Sequence, residues 1–537
     1  MSLDAVIVGA GHNGLVAACY LARAGLRVCV VEKNDWIGGA AVSRELYPGL
    51  TYSNCSYVNS LFRPEIMRDL DLARHGLQIL PYEGGALLTG QGYLGMHRDH
   101  DANRREIARH SPRDAEAYDL YARDVLRHCR FIRPLLMRTP PDPARFRPRD
   151  LGELIWLGRH ISGLSERAVC DMIRFWTMSI SDFLDGYFEN PAVKAYQAVG
   201  AIIGTALGPM SPGTAYVLLH HAMGDVDGNV GAWGYARGGM GAITQALAAS
   251  LRASGGEIRT GAGVESVLVE GGRACGVVLE GGDEVRAARV LSNMDVRRTF
   301  LRHVDEREVP GEFMARVKRF KTRGSSGKLN IALDRAPRFT ALPEDAPYIK
   351  GDLHFTPTIA AMERAYDDWK AGTFSADPFQ DVMIPTMIDP TMAPAGKHFM
   401  SCFVQYAPPK IRGADWSDAD RDAFGRTCID QIEAHAPGFR ASILHVEVRT
   451  PRELEAEVGL TEGNIFQGEL TFDQLLFNRP VPGYAQYRTP VRDLYLCGSS
   501  THPGGGVMGA PGRNAAREVL RDMARAPKDM RDAYAVL

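Results

Sequence analysis

Gly9, Gly11 and Gly14 stand between the apolar run Ala5-Val6-Ile7-Val8 and a helix-periodic stretch that starts at Leu15. Glycines at this spacing, directly between a strand and a helix, are suited to hold a diphosphate. Gly9 allows the tight turn, Gly11 lets the backbone approach the ligand, and Gly14 lets helix and strand pack closely. The helix start adds unpaired N–H groups and the positive end of a dipole, with His12 and Asn13 inside the same loop. Leu26–Val31 reads as a second buried strand, and Glu32 at its end can accept hydrogen bonds from ribose hydroxyls. These residues form a complete βαβ unit for an adenine dinucleotide. His12 is expected to pack beside the cofactor without moving protons.

Glu32-Lys33 runs on to Gly38-Gly39-Ala40-Ala41, a second glycine turn. Far downstream, Leu494–Cys497 reads as a buried strand delivering Gly498 and Ser499, and Gly504-Gly505-Gly506-Val507-Met508 opens a last helix. Between them lie Tyr235–Gly241, Ile258–Val267 and Val290–Asp295. In order and spacing, these segments resemble the flavoproteins of the monoamine oxidase and phytoene desaturase type. The closest pattern is the branch of pyridine nucleotide-disulfide oxidoreductase domain-containing protein 2, through Gly38–Ala41 and Gly463–Glu469. The resemblance spans essentially the whole chain.

That resemblance implies non-covalently bound FAD. Its contacts are Gly9, Gly11, His12, Asn13, Gly14, Glu32, Lys33, Gly38, Gly39, Ala40, Gly498, Ser499, Gly506 and Val507, with the Val264 backbone on the adenine and Met508 against the flavin ring. It also implies an α/β protein with an inserted α+β domain, the Rossmann-like FAD-binding domain being of the amine oxidase/phytoene desaturase type. The expected segments are 1–61, 234–299 and 481–537 for that domain, and 62–233 with 300–480 for a substrate-covering cap. The expected chemistry is oxidation of a small hydrophobic substrate by hydride transfer, as in a desaturase or isomerase, with oxygen or a quinone as acceptor. Amine oxidation and a non-catalytic flavin-bearing protein are the alternatives. One departure is Ala40, which stands where desaturases and amine oxidases usually carry arginine.

His502 is the ionisable residue expected nearest the flavin, in a positioning role more than as a base, since flavin can accept a hydride without a strong base. His220-His221 reads as a satisfied core pair inside Ala195–Gly224, a stretch without Asp, Glu, Lys or Arg that suits a buried helix–loop–helix. Nine dispersed cysteines, no two within four residues, exclude a CxxC redox pair or zinc knuckle and fit a reduced cytoplasmic protein. No metal site is expected. Across 537 residues, 62 basic side chains against 64 acidic ones leave no field for nucleic acid. The one local excess is Arg127–Asp150, with seven arginines, two aspartates and five prolines. It reads as an irregular basic surface segment that could touch an anionic membrane.

Overall fold

A continuous apolar strand needs cover on both faces, and all four residues of Ala5–Val8 (β1) are buried. A computed structural model describes residues 3–90, 92–145, 147–226 and 228–525. In it β1 is the middle strand of a five-stranded parallel sheet. The order is Glu257–Arg259, Val28–Val31 (β2), β1, Val290–Ser292 and Leu494–Leu496. The sheet therefore draws strands from the start, middle and end of the chain. Helix α1 (His12–Arg23) covers one face together with Gly241–Ala253 and Ala510–Arg525. The other face carries an antiparallel meander, Val264–Glu270, Arg273–Leu279 and Glu284–Arg286, and the helices Val296–Arg302 and Gly311–Arg319. Residues 1–2 and 526–537 of the expected segments lie outside the described residues.

The second unit is a seven-stranded mixed sheet ordered Ile443–Arg449, Ser326–Leu333, His398–Gln405, Phe379–Met383, Asp352–His354, Gly84–Thr89 and Gly92–His97. Helices between residues 100 and 222 pack with it in one core, and helix Asp418–His435 in another. The architecture is α/β with an inserted α+β unit. Pro191–Ile202 and Thr214–Ala222 form the helix–loop–helix of the uncharged stretch, and His220 and His221 are buried in it. Among the described residues no helix is long and apolar enough to cross a membrane.

The segment 62–233 is mostly helical, from Pro64–Asp69 to Thr214–Ala222, but it also gives the second sheet an edge hairpin, Gly84–Thr89 with Gly92–His97. Its glycines look like loop composition, yet they are packing devices. A Cβ on Gly95 would lie 2.2 Å from the Tyr348 ring, and one on Gly85 would lie 2.3 Å from the Asp352 carboxylate. One expectation needs correction: Arg127–Asp150 is not irregular throughout. Helix Pro112–Leu136 runs on to Leu136 with Pro134 in its last turn, and Pro148 starts the next helix at its first position.

The arginines of that segment are also paired: Arg127 with Asp124, Arg133 with Asp225, Arg138 with Glu153, Arg145 with Asp142, and Arg149 with the buried Glu518. Most of these acids lie outside the segment, so its own composition overstates its charge. Among the described contacts only the exposed Arg130 and Arg147 have no acid partner. A bilayer would meet two free guanidiniums here, not seven.

Candidate functional site

The turn after β1 is set by Gly9, at φ +96°, whose N–H donates to Val31 O at 2.8 Å. Gly11 then caps α1, and no side chain closes that helix end. Its first N–H groups are left to an anionic ligand. A Cβ on Gly14 would lie 2.3 Å from Gly9 O, which is why the third glycine is needed for packing. The second glycine turn docks on the first: Gly38 N–H donates to Ala10 O at 3.0 Å, and a Cβ on Gly39 would lie 3.4 Å from Gly11 Cα. Glu32 is buried, and its carboxylate accepts from the N–H groups of Ala10 at 2.8 Å and Asn34 at 3.1 Å.

These turns form one end of a cavity with about 1790 Å³ of space free of atoms, part of it open to solvent. Of the residues predicted from sequence, Gly9, Gly11, His12, Asn13, Glu32 and Lys33 line it, as do Gly39, Ala40, Val264, Ser499, Gly506 and Val507. Gly14, Gly38 and Gly498 stand behind the wall. Gly498 has Asn293 O 2.5 Å from where its Cβ would be.

Met508 does not face the cavity. It is fully buried against Leu61 and Ala510, and Val507, one residue earlier, faces the cavity instead. His502 is also elsewhere. Its Nε2 is 2.9 Å from Leu135 O, and its ring lines a separate small cleft with Trp156 and Phe477. Burial lowers its pKa to about 4, so it is a neutral packing residue at that place.

The end near Glu32 is closed by the helix Pro451–Val458 and the residues just after it. Lys33 Nζ donates to Ala456 O at 2.9 Å, and Leu454, Val458 and Leu460 join Val264 in the wall. Burial lowers His12 and His221 to about 4, so neither brings charge to the cavity. His12 Nε2 lies 3.1 Å from Gly506 O, which ties the first loop to the C-terminal one. His220 is held by Gly505 O at 2.9 Å, and of the two adjacent histidines only His221 reaches the cavity.

Composition and motif left the other end unmarked. It is built by Tyr57, Ile203, Trp233, Phe403, Phe466 and Lys328. Tyr57 and Phe403 stack with centroids 5.6 Å apart. Lys328 comes from Ser326–Leu333, a strand buried at all eight positions. Its Nζ donates to Ser53 O at 2.7 Å and lies 5.7 Å from the Tyr57 ring centroid. Burial pulls its pKa down to about 7. Lys328 is the one charged residue of this strand, and that was the available signal.

The donor set fits a flavin dinucleotide. The open helix end suits a diphosphate and Glu32 a ribose. Buried Asn13 Oδ1 and Gln467 Oε1, without protein partners, can accept from ligand N–H or O–H groups. Glu32→Ala removes those ribose bonds and also frees the Ala10 and Asn34 N–H groups. At about 0.5–1.5 kcal/mol per bond, up to 3 for a charged acceptor, flavin affinity is expected to fall by about tenfold to several hundredfold in titrations of the apoprotein.

Comparison with known proteins agrees with this geometry. The family model for an NAD(P)-binding Rossmann-like domain matches residues 7–71, and that for flavin containing amine oxidoreductase matches residues 161–407. Pyridine nucleotide-disulfide oxidoreductase domain-containing protein 2 of Rattus norvegicus is 41% identical, over 97% of this chain and 94% of the relative. One of the polypeptides of the limonene dehydrogenase of Castellaniella defragrans is 26% identical over 97% of this chain and 95% of its own. Among solved structures, cyclohexylamine oxidase of Brevibacterium oxydans superimposes with a TM-score of 0.59 at 15% identity, covering 98% of this chain and 100% of that one.

Proposed function

Because the chain belongs to the family of pyridine nucleotide-disulfide oxidoreductase domain-containing protein 2, a branch of the flavin-dependent oxidoreductases, we propose that it binds FAD without a covalent bond and oxidises a small hydrophobic molecule in a desaturase- or isomerase-like reaction. The observation that carries this reading is the unmarked end of the cavity. Ile203, Trp233, Phe403 and Phe466 make it mainly apolar and aromatic, and Tyr57, Lys328 and the neutral His221 are among its polar groups. FAD supplies the hydride acceptor, and reoxidation falls to oxygen or a quinone. Gly9, Gly11 and Gly39 leave space for the diphosphate, while Glu32 and Val264 receive the adenosine. The apolar wall excludes water from the substrate, and Lys328 supplies a positive charge where the cofactor gains electrons.

Amine oxidation fits less well. An amine flanked by two aromatic rings needs a gap between them, and Tyr57 and Phe403 are in direct stacking contact. A protonated Lys328 beside them would also repel an ammonium. The test is anaerobic mixing of the yellow protein with a cyclic terpene hydrocarbon, a linear polyene and a cyclic amine. Bleaching of the flavin by either hydrocarbon is expected. Bleaching by the amine alone would overturn the substrate class, and no bleaching would favour a non-catalytic flavin protein.

Acid precipitation is expected to release the flavin into the supernatant. Cys497 is buried against Ser292 O, and neither it nor His502 lines the cavity. Cys55 does line it, but burial raises its thiol pKa and makes it a poor nucleophile. Colour retained in the pellet would contradict non-covalent binding.

A further inference from the structure

Residues two apart on a strand share a face, and so do residues directly opposite on the neighbouring strand. Asp352 and His354 are two apart on one strand of the second sheet, and His354 is in register with Asp381 on the next. All three are buried, with their ligand atoms within 4.8 Å of one another. His354 Nε2 is 2.6 Å from Asp352 Oδ2, which also accepts from Tyr196 OH at 3.2 Å. Stacking on Phe379, at 5.5 Å, fixes the imidazole plane. His354 Nδ1 lies 4.0 Å from Asp381 Oδ1, and neither atom has a hydrogen-bond partner. The other oxygen of Asp381 accepts from Tyr57 OH at 2.7 Å. Tyr57 is the member of this chain that lines the cavity.

We propose that Tyr57 passes a proton between the substrate and Asp381, with the His354–Asp352 pair positioning Asp381 and holding the buried charge. The proposal rests on the hydride-transfer reading above. Two neighbouring C–H bonds of the substrate break. One leaves as hydride and reduces the flavin by two electrons. The other leaves its proton on the Tyr57 oxygen as the Tyr57 proton moves to Asp381, and its electron pair forms the C=C bond. When oxygen or a quinone takes the hydride equivalents, the stored proton returns by the same route and completes the peroxide or quinol. A metal ion fits the group less well, since the bond to Asp352 already occupies His354 Nε2.

The charges suit this role. Burial raises Asp381 to about 6, against the lowering charge of His354. Burial also works to lower His354 and raise Asp352, but their mutual hydrogen bond and charges win and keep the pair ionised. Burial and the nearby Asp381 hold Tyr57 well above the usual phenol value, so it transmits a proton while remaining a phenol. The other titratable groups facing the cluster are Tyr82, Tyr196 and Tyr235, all raised, and Lys328 above the Tyr57 ring.

The test places a tyrosine fluorinated beside its hydroxyl at position 57 of the flavin-loaded protein. Its fluorine resonance is followed from about pH 5 to about pH 8. A step with a midpoint near 6 is expected, lost in Asp381→Asn and displaced in His354→Gln. A flat signal in the parent protein, or a step that survives Asp381→Asn, would overturn the relay. With any compound that bleaches the flavin, Tyr57→Phe is expected to keep flavin content and spectrum while slowing bleaching by about a hundredfold or more. An unchanged rate would also overturn it. If no compound bleaches the flavin, the hydride reading fails, and the fluorine signal separately decides whether Tyr57 reads the charge of Asp381.

Discussion

Valine at position 11 is expected to give a folded protein without colour. Gly11 caps α1 and lines the cavity where the helix end is left open. A Cβ there would lie 2.7 Å from Asn293 Nδ2, the end of a side chain that can move, so the fold should survive. The two γ-methyls cannot be accommodated in the same way, because they project into the space a diphosphate needs. Flavin binding is therefore expected to be lost outright, a larger effect than that of Glu32→Ala. Circular dichroism of the variant should match the parent, and added FAD should produce no binding signal. Normal flavin content in Gly11→Val would refute the placement of the diphosphate. Valine at position 14 would be a poor substitute test, since it strikes the backbone oxygen of Gly9 and would disturb the fold itself.

Lys328→Met is expected to leave flavin bound and to slow its reduction by about a hundredfold to a thousandfold, the usual cost of removing a preorganised group that stabilises developing charge. The flavin midpoint potential should become more negative, a readout that needs no substrate. The pH dependence follows from the direction of the shift. Burial lowers Lys328 to about 7, so the side chain is cationic below that value and neutral above it. Asp381, raised to about 6, becomes an ionised acceptor as pH rises through that value. The rate of flavin reduction in the parent should thus climb near pH 6, fall beyond pH 7, and lose the upper limb in Lys328→Met. Lys328→Arg, which keeps its charge at every accessible pH, should retain more of the potential and also lose the upper limb. A variant with the parent's potential and profile would remove Lys328 from the chemistry.

The parts of the site legible in the sequence are those made by neighbours along the chain. Gly9, Gly11 and Gly14 with Glu32 act through local turn geometry, and local geometry leaves a spacing that can be read. The C-terminal glycine turn was placed to within one residue: Val507 reaches the cavity and Met508 turns away, a choice made by packing against Leu61. Lys328 and Tyr57 could not be joined to the site from sequence for a different reason. Strand pairing and ring stacking bring them together, and neither leaves a trace in spacing. The same holds for Asp381 and His354, which are opposed only once two strands are in register. Arg149 shows the converse error, because its neutralising partner, Glu518, lies at the far end of the chain.

The parallel sheet has a temporal consequence. Its edge strand, Leu494–Leu496, pairs with Val290–Ser292, and Ser499, Gly506 and Val507 follow it into the cavity wall. While the chain is being synthesised, β1 and β2 emerge first and wait, with apolar faces lacking their final helix, until Ala510–Arg525 leaves the ribosome. Pairings this distant in sequence are slow to form and expose the intermediate to aggregation. Flavin capture is therefore expected only after Leu494–Leu496 has joined the sheet and brought the turn behind it into the cavity wall. Its supply at that stage, together with chaperone protection of the early strands, would set the yield of active protein.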